Sequence, residues 1–195
     1  MDINALISLL TIIAFLLLGY TQYENYSNEV TSVKSSIDNN EYIVRNRDDK
    51  QEAADILAKI RTKLEKLVNS MKVKYPNDES INRMNRKFNA DNISESGQSS
   101  QYTSYSVNKG EKIVFCIRQK DEEQTFVELN TITFVAIHEL AHVMSKSIGH
   151  TDEFWKNFKL LLQEAINIGI YDKENYSQSP KDYCGIKVTD SPLEN

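Results

Sequence analysis

The stretch His138-Glu139-Leu140-Ala141-His142 decides how the rest of this sequence is understood. On an α-helix, residues four positions apart lie on the same face, about one turn from each other. Two imidazoles placed in this way can bind one zinc ion. Glu139 lies at the flank of that face, where its carboxylate can reach a water molecule at the metal without being a ligand. The pentapeptide therefore predicts a helical zinc site with a general base beside it.

A third histidine, His150, lies eight residues after His142 and completes the set of three histidines in the chain. Eight residues of α-helix span about 12 Å, so His150 can join the same metal only if the chain turns back. The segment Ser147-Ile148-Gly149 offers this turn, because Gly149 can take the left-handed conformation that ends helices. Three protein ligands leave a fourth position open to water, which is typical of a catalytic zinc site.

An apolar helical pattern surrounds the motif, which argues against a chance occurrence on an amphipathic helix. Its members are Phe134, Val135, Ile137, Leu140, Ala141, Val143 and Met144. The predicted active-site helix runs from about Thr131 to Lys146, with Asn130 as its N-cap. A second helix is predicted to begin after Thr151, a favourable N-cap, and to end at Gly169.

Extended segments precede the active-site helix. Residues 102–107 alternate in polarity, Asn108-Lys109-Gly110 is a turn signal, and residues 112–118 read as a strand. Together they predict a β-hairpin, and residues 126–129 predict a third short extended segment. Because edge strands commonly pair with extended peptides, we expect the substrate cleft beside the strand from Lys112 to Arg118.

Upstream of these strands, Asp48 to Tyr75 predicts a long helix, because apolar residues recur there at spacings of three and four. We expect this helix to pack on its own domain, and a coiled-coil partner is the alternative. Residues 77–100 are polar, and the basic cluster within them is expected to lie on a solvated surface. The cluster consists of Arg83, Arg86 and Lys87.

The N-terminus predicts a membrane anchor. Residues 3–23 carry no charge. The segment has about the length needed to cross a hydrocarbon core of roughly 30 Å. A cleavable signal peptide is the alternative, although a basic leading region is missing and Leu18-Gly19-Tyr20 is a poor cleavage site. Charges around the segment show no positive-inside bias, so its orientation is not readable. Residues 24–47 are polar and predict a juxtamembrane linker.

Charge and cysteine content restrict the partners and the compartment. The net charge of -5 argues against a broad nucleic-acid-binding surface, which would need a basic stripe. Cys116 and Cys184 are far apart and are expected to be buried thiols, unless the domain faces an oxidising compartment, where a disulfide is possible. Three Asn-x-Ser sequons, at Asn25, Asn92 and Asn175, are expected to arise by chance and matter only if the domain is luminal.

The motif and its surroundings resemble a known family. His138-Glu139-Leu140-Ala141-His142 followed by His150-Thr151-Asp152-Glu153-Phe154-Trp155 is similar to the pattern of the WLM and SprT-like minimal zincin metallopeptidases. The tail Tyr183-Cys184-Gly185-Ile186, with Ser191-Pro192-Leu193, resembles that of small metallopeptidases from large DNA viruses. This resemblance implies a zincin fold, zinc on His138, His142 and His150, and catalysis by Glu139. Cellular relatives include DNA–protein crosslink proteases, a role that the acidic balance and the apolar N-terminus do not support.

These observations predict an α+β fold with three parts. A transmembrane anchor (1–23) and a linker (24–47) precede a zincin-like domain (48–195) with a short antiparallel sheet and the active-site helix. The expected activity is hydrolysis of peptide bonds in a protein or peptide, with a zinc-activated water and Glu139 as general base. The alternatives are a non-catalytic, zinc-stabilised interaction domain displayed on a membrane, and a soluble secreted peptidase. No nucleic-acid partner is expected, and the oligomeric state is not indicated.

Overall fold

A computed structural model describes residues 2–98 and 100–193 of the chain. Within these residues the chain forms five helices and seven strands. In chain order they are α1 (Ile3–Glu29), β1 (Val30–Lys34), β2 (Glu41–Arg45), α2 (Lys50–Lys74), α3 (Glu79–Lys87), β3 (Ile93–Glu95), β4 (Tyr105–Val107), β5 (Lys112–Phe115), α4 (Leu129–Met144), α5 (Asp152–Asn167), β6 (Lys181–Tyr183) and β7 (Ile186–Val188). The expected α+β class is therefore confirmed.

The main sheet is mixed, whereas a short antiparallel sheet was expected. Its strand order is β1-β2-β3-β5-β4, with parallel pairing of β3 to both β2 and β5. Parallel pairing arises because α2 and α3 form a crossover between β2 and β3. The expected hairpin is present as β4 and β5, and β4 lies at the edge of the sheet. The strand that begins at Lys112 is thus interior, and the expectation of a substrate strand there was wrong.

Residues 24–47, expected as a linker, contain part of this sheet. Helix α1 continues to Glu29, and β1 and β2 form an antiparallel hairpin immediately after it. In β2, Tyr42 and Val44 are buried while Glu41 and Ile43 are exposed. Each strand has five residues, so the alternation is too short to stand out against the surrounding polar sequence.

Strand β3 was not expected, because its sequence is Ile-Ser-Glu, yet all three of its residues are buried. The Glu95 carboxylate accepts a hydrogen bond from Arg118 Nε at 2.8 Å and another from the backbone N–H of Arg45 at 2.7 Å. Arg118 is fully buried and also pairs with Asp49 at the start of α2. A paired charge network thus allows a polar strand to lie inside the domain.

Helix α2 packs along the sheet and confirms the long helix expected upstream of the motif. Its apolar stripe is buried within the domain, which accounts for the pattern without a partner helix. The members of that stripe are Ala53, Ile56, Leu57, Ile60, Leu64, Leu67, Val68 and Met71.

The active-site helix α4 begins and ends two residues earlier than expected. Asn130 is not its N-cap, because its side chain instead bonds the backbone of Asp172 in the tail. Gly149 does take a left-handed conformation, with φ of 80°, but the helix has already ended at Met144. Helix α5 begins as expected, since Thr151 Oγ1 accepts a hydrogen bond from the Phe154 N–H.

Cys116 and Cys184 form a disulfide, which corrects the expectation of two separate thiols. Cys116 directly follows β5, and Cys184 lies in the turn of the β6–β7 hairpin. The two residues are 68 positions apart, so the pairing depends on the return of the tail to the sheet and is not visible in the sequence. The bond ties the C-terminal hairpin to the core of the domain.

The N-terminal helix stands apart from the core. From Ile3 to Tyr23 it has a mean hydropathy of 2.2, and none of its most apolar window is buried. In the part of the chain that the structure describes, this is the one helix that is long and apolar enough to cross a membrane. A signal sequence has the same properties, so the length and composition alone do not separate the two.

Candidate metal centre and active site

Three imidazoles converge at one end of the cleft. His138 and His142 lie one turn apart on α4, and His150 comes from the loop that follows it. The Nε2 atom of His138 is 3.2 Å from that of His142 and 3.1 Å from that of His150. Tetrahedral zinc with Zn–N bonds of about 2.0–2.1 Å holds its nitrogen ligands roughly 3.3 Å apart. The three histidines therefore fit a zinc ion.

Burial keeps the two helical imidazoles in the form that binds metal. Together with weaker repulsion from neighbouring positive charge, it lowers the pKa of His138 to about 3 and that of His142 to about 4. A histidine must be neutral to ligate a metal, so these side chains do not need to lose a proton at neutral pH.

An aromatic side chain from α5 packs against the whole triad. The ring centroid of Phe154 is 4.3 Å from that of His142, 4.8 Å from that of His138 and 4.7 Å from that of His150. Phe154 is fully buried, so it fixes the orientation of the imidazoles by close packing. Its place in the His-x-x-x-Phe-Trp pattern thus has a structural reason.

The loop that carries His150 is held by Lys109, a residue that the sequence indicated only as part of a turn. Its Nζ donates hydrogen bonds to the carbonyl oxygens of Ser145, Lys146 and Ser147, at 2.7, 2.9 and 2.6 Å. Lys109 reaches this loop because Asn108, Lys109 and Gly110 have successive positive φ angles of 47°, 55° and 108°. At Gly110, an added Cβ would lie 2.8 Å from the carbonyl oxygen of Lys87, so only glycine fits there.

Glu153 and Arg83 hold the same loop from two other elements. The Glu153 carboxylate accepts hydrogen bonds from the backbone N–H groups of Lys146 and Ser147, at 2.9 and 3.0 Å. These bonds lower the pKa of Glu153 to about 2. Arg83 donates to the carbonyl oxygen of Met144 at the end of α4. Arg83 was expected on a solvated surface, but its side chain is largely buried, at 13% exposure, because it caps this helix.

Glu139 lies beside the triad with its carboxylate buried, at 6% residue exposure. Burial raises its pKa to about 7, opposed by a hydrogen bond from the backbone of Ser106 on β4. The structure thus places the candidate base between the histidines and the edge strand of the sheet. The hydrogen bond between the Ser106 backbone and Glu139 was not predicted from the sequence, because it depends on how β4 packs against α4.

A cleft of about 770 Å³ opens over these groups. It is lined by His138, Glu139 and His142, by residues 103–106 at β4, and by residues 186–190 of the tail. Two other lining residues contact each other, because the Tyr183 hydroxyl is 2.5 Å from Ser104 Oγ. From the sequence, the tail was noted only for its resemblance to the family. In the structure, Tyr183 and residues 186–190 of the tail line the cleft.

Comparison with known proteins agrees with this geometry. The WLM domain matches residues 36–192. Uncharacterized protein R325 of Acanthamoeba polyphaga mimivirus is 30% identical over 201 residues, covering 100% of both chains. Uncharacterized protein 136R of Invertebrate iridescent virus 6 is 37% identical over 82 residues, covering 42% of this chain and 44% of the viral protein.

The fold has a counterpart among solved structures. The crystal structure of Wss1 from Saccharomyces cerevisiae matches with a TM-score of 0.50 and 22% identity, covering 65% of this chain and 87% of that one. At this identity the likeness concerns the fold alone. The resemblance inferred from the HELAH motif is confirmed by the domain match and the viral relatives. The chain belongs to the WLM family, a family of the metallopeptidase type, and is similar to proteins of large DNA viruses.

Proposed function

We propose that this chain is a zinc-dependent metallopeptidase of the zincin type, with Glu139 as its general base. The observation that carries the proposal is the position of one buried carboxylate beside three convergent imidazoles that line an open cleft. His138, His142 and His150 would hold the metal. Bound zinc supplies a Lewis acid for the scissile carbonyl and a water with a pKa of about 7.

Glu139 performs the proton transfers in this account. A carboxylate with a pKa near 7 can take a proton from the attacking water at neutral pH and deliver it to the leaving amine. The Ser106 backbone holds the carboxylate on the β4 side of the cleft. The buried phenol of Tyr183 and the hydroxyl of Ser104 line the same space.

The substrate is proposed to be an extended peptide or protein segment. Strand β4 is an edge strand that borders the cleft and pairs with β5 on its other side. Its outer edge has the backbone geometry to add a substrate strand in front of Glu139. The proposed substrate-binding strand is therefore β4 and not β5, the strand expected from the sequence.

A non-catalytic zinc-stabilised domain is the competing account. Such a site needs the three ligands but gains nothing from Glu139, because a buried carboxylate costs free energy unless it is well paired. Within the described residues, Glu139 forms no ion pair with a basic side chain. The cost therefore favours a catalytic role for this carboxylate.

We also propose that α1 anchors the chain in a membrane. Its uncharged segment of 21 residues, Ile3–Tyr23, matches the thickness of a hydrocarbon core of about 30 Å, and its large apolar side chains are exposed rather than packed on the domain. Carbonate extraction of full-length protein tests this: retention in the membrane pellet supports an anchor. Release, with a new N-terminus near residue 20, would show a cleaved signal peptide.

The activity is tested by a cleavage screen. Full-length protein in detergent is incubated with a library of proteome-derived peptides, as purified, after removal of metal by a chelator, and after addition of zinc. Cleavage that disappears with the chelator and returns with zinc supports the proposal. Zinc binding without cleavage of any peptide would support the non-catalytic alternative.

A further inference from the structure

The disulfide in the catalytic domain bears on a question that the sequence leaves open, namely the side of the membrane on which the cleft lies. Cys116 and Cys184 are both buried, at 0% and 2% exposure, and they are bonded to each other. Protein disulfides persist in oxidising compartments and are rare in the cytosol, where thiols are kept reduced. A domain built around this bond is suited to the oxidising side.

The disulfide lies close in sequence to residues that line the cleft. The C-terminal hairpin forms its own two-stranded sheet, separate from the main sheet. Residues 186–190, which begin two positions after Cys184, line the cleft. Hydrogen bonds also attach the hairpin to the rest of the domain, among them those from Gln119 Nε2 to the Asp182 carbonyl and from the Cys184 N–H to Gln119 Oε1, each 3.0 Å. In a reducing compartment, residues 186–190 would no longer be held near the core by the disulfide.

The position of α1 before the domain links the compartment of the disulfide to the side of the membrane on which the domain lies. In the part of the chain that the structure describes, α1 is the one candidate span, so a crossing by α1 places the described domain that follows it on one side of the membrane. The flanking charges give no orientation, because Asp2 and Glu24 stand on the two sides and Lys34 is the first basic residue. The disulfide supplies the information that the flanking charges lack.

We infer that the catalytic domain lies on the oxidising, luminal or extracellular side of the membrane, where Asn175 is available as an N-glycosylation site. Asn175-Tyr176-Ser177 is one of the three sequons, and Asn175 is exposed. Its side-chain oxygen accepts hydrogen bonds from the Ser177 hydroxyl at 2.7 Å and the Gln178 N–H at 3.1 Å. These contacts use the oxygen, so a glycan on the amide nitrogen is compatible with the fold.

Asn92 is a poorer acceptor in the folded domain and serves as a comparison. Its side-chain nitrogen donates to the carbonyl oxygen of Glu111 at 3.0 Å, and Ser94 of its sequon is buried in β3. The inference therefore assigns the modification to Asn175. It rests on the proposed membrane insertion of α1 but not on the proposed peptidase activity.

The experiment uses full-length chain synthesised in the presence of sealed microsomes. Added protease should leave the domain intact until detergent opens the vesicles. In the denatured protein, Cys116 and Cys184 should react with a maleimide only after reduction. A glycosidase-sensitive shift in mobility should disappear in Asn175→Gln and persist in Asn92→Gln.

Failure of the inferred topology can be distinguished from failure of the proposed anchor or of the proposed peptidase activity. Digestion of the domain in sealed vesicles, or labelling of both cysteines in denatured protein without reductant, would overturn the topology. A protected domain without a glycan at Asn175 would overturn the modification site. Release by carbonate of a protected chain would remove the anchor while leaving the side of the membrane as inferred.

Discussion

The ring of Phe154 stacks on the imidazole of His142, with centroids 4.3 Å apart and planes inclined by 30°. The same ring contacts His138 and His150, so one side chain of α5 supports ligands from both α4 and the following loop. The geometry of the triad thus depends on the packing of the two helices. Substitution of a side chain that orients metal ligands commonly changes metal affinity by roughly 10–100-fold.

Replacement of Phe154 tests this dependence. We expect Phe154→Leu to weaken zinc binding by about 10-fold or more, because the shorter side chain no longer supports the imidazoles. The matched control is Phe115→Leu, which alters another fully buried phenylalanine away from the triad. Both variants should lose a similar amount of stability, roughly 1–1.5 kcal/mol. Zinc titration by competition with a chromophoric chelator decides the matter, and equal affinities in the two variants would contradict the role of Phe154.

The contacts of Lys109 give a second prediction. Lys109→Met keeps the length of the side chain but removes the donor to three carbonyl oxygens of the loop before His150. We expect lower zinc affinity and a loss of stability of about 1–3 kcal/mol, because charged hydrogen bonds to the backbone are lost. Lys66→Met, at an exposed position of α2, is the control and should change neither quantity. A Lys109→Met protein with wild-type affinity and melting temperature would show that the loop does not need this residue.

The pKa of Glu153 predicts a pH dependence. Its folded-state pKa of about 2 lies below the ordinary value of 4.5, because three hydrogen bonds from Lys146 and Ser147 favour the carboxylate. A depressed pKa contributes stability that is fully present above the unfolded value and is lost as pH falls through the folded value. Wild type should therefore be more stable than Glu153→Gln above pH 4.5, and the difference should shrink between pH 4.5 and 2. Chemical unfolding of the metal-free proteins across this range provides the measurement, and a difference that does not vary with pH would refute the assignment.

The disulfide gives a fourth prediction. The bond closes a loop of 68 residues, for which chain entropy predicts a stabilisation of about 4 kcal/mol. Cys116→Ser/Cys184→Ser should lose about 2–4 kcal/mol and raise KM more than it lowers kcat, because the tail residues that line the cleft are held less tightly. Wild type treated with reductant should match the double variant. Unchanged stability in both would mean that the two cysteines do not pair.

The sequence was most informative where residues act locally. The spacing of His138 and His142 on one helix face, the N-cap Thr151 and the left-handed Gly149 are properties of short segments, and the structure has each of them. The long-range features were not visible. Strand β3 is polar and buried because Arg118 neutralises Glu95, and those two residues are separated by 23 positions.

The same distinction explains what was missed at the site. Lys109 and Arg83 looked like turn and surface residues, because their partners are backbone carbonyl oxygens of a loop elsewhere in the chain. The tail was recognisable as similar to the family, but its place in the cleft depends on the pairing of Cys184 with Cys116. The spacing of the three histidines supplied the candidate ligands, and the fold shows how they are brought together.

The central claim is that Glu139 is the catalytic base, and Glu139→Gln tests it most directly. Glutamine keeps the size and hydrogen-bonding reach of the side chain but cannot take a proton at neutral pH. We predict that turnover falls by about 10²–10⁴-fold, while zinc content stays at one ion per chain and the melting temperature does not fall. His138→Ala, by comparison, should lose the metal and stability together. A Glu139→Gln protein that retains full turnover, or that loses its zinc, would contradict the account.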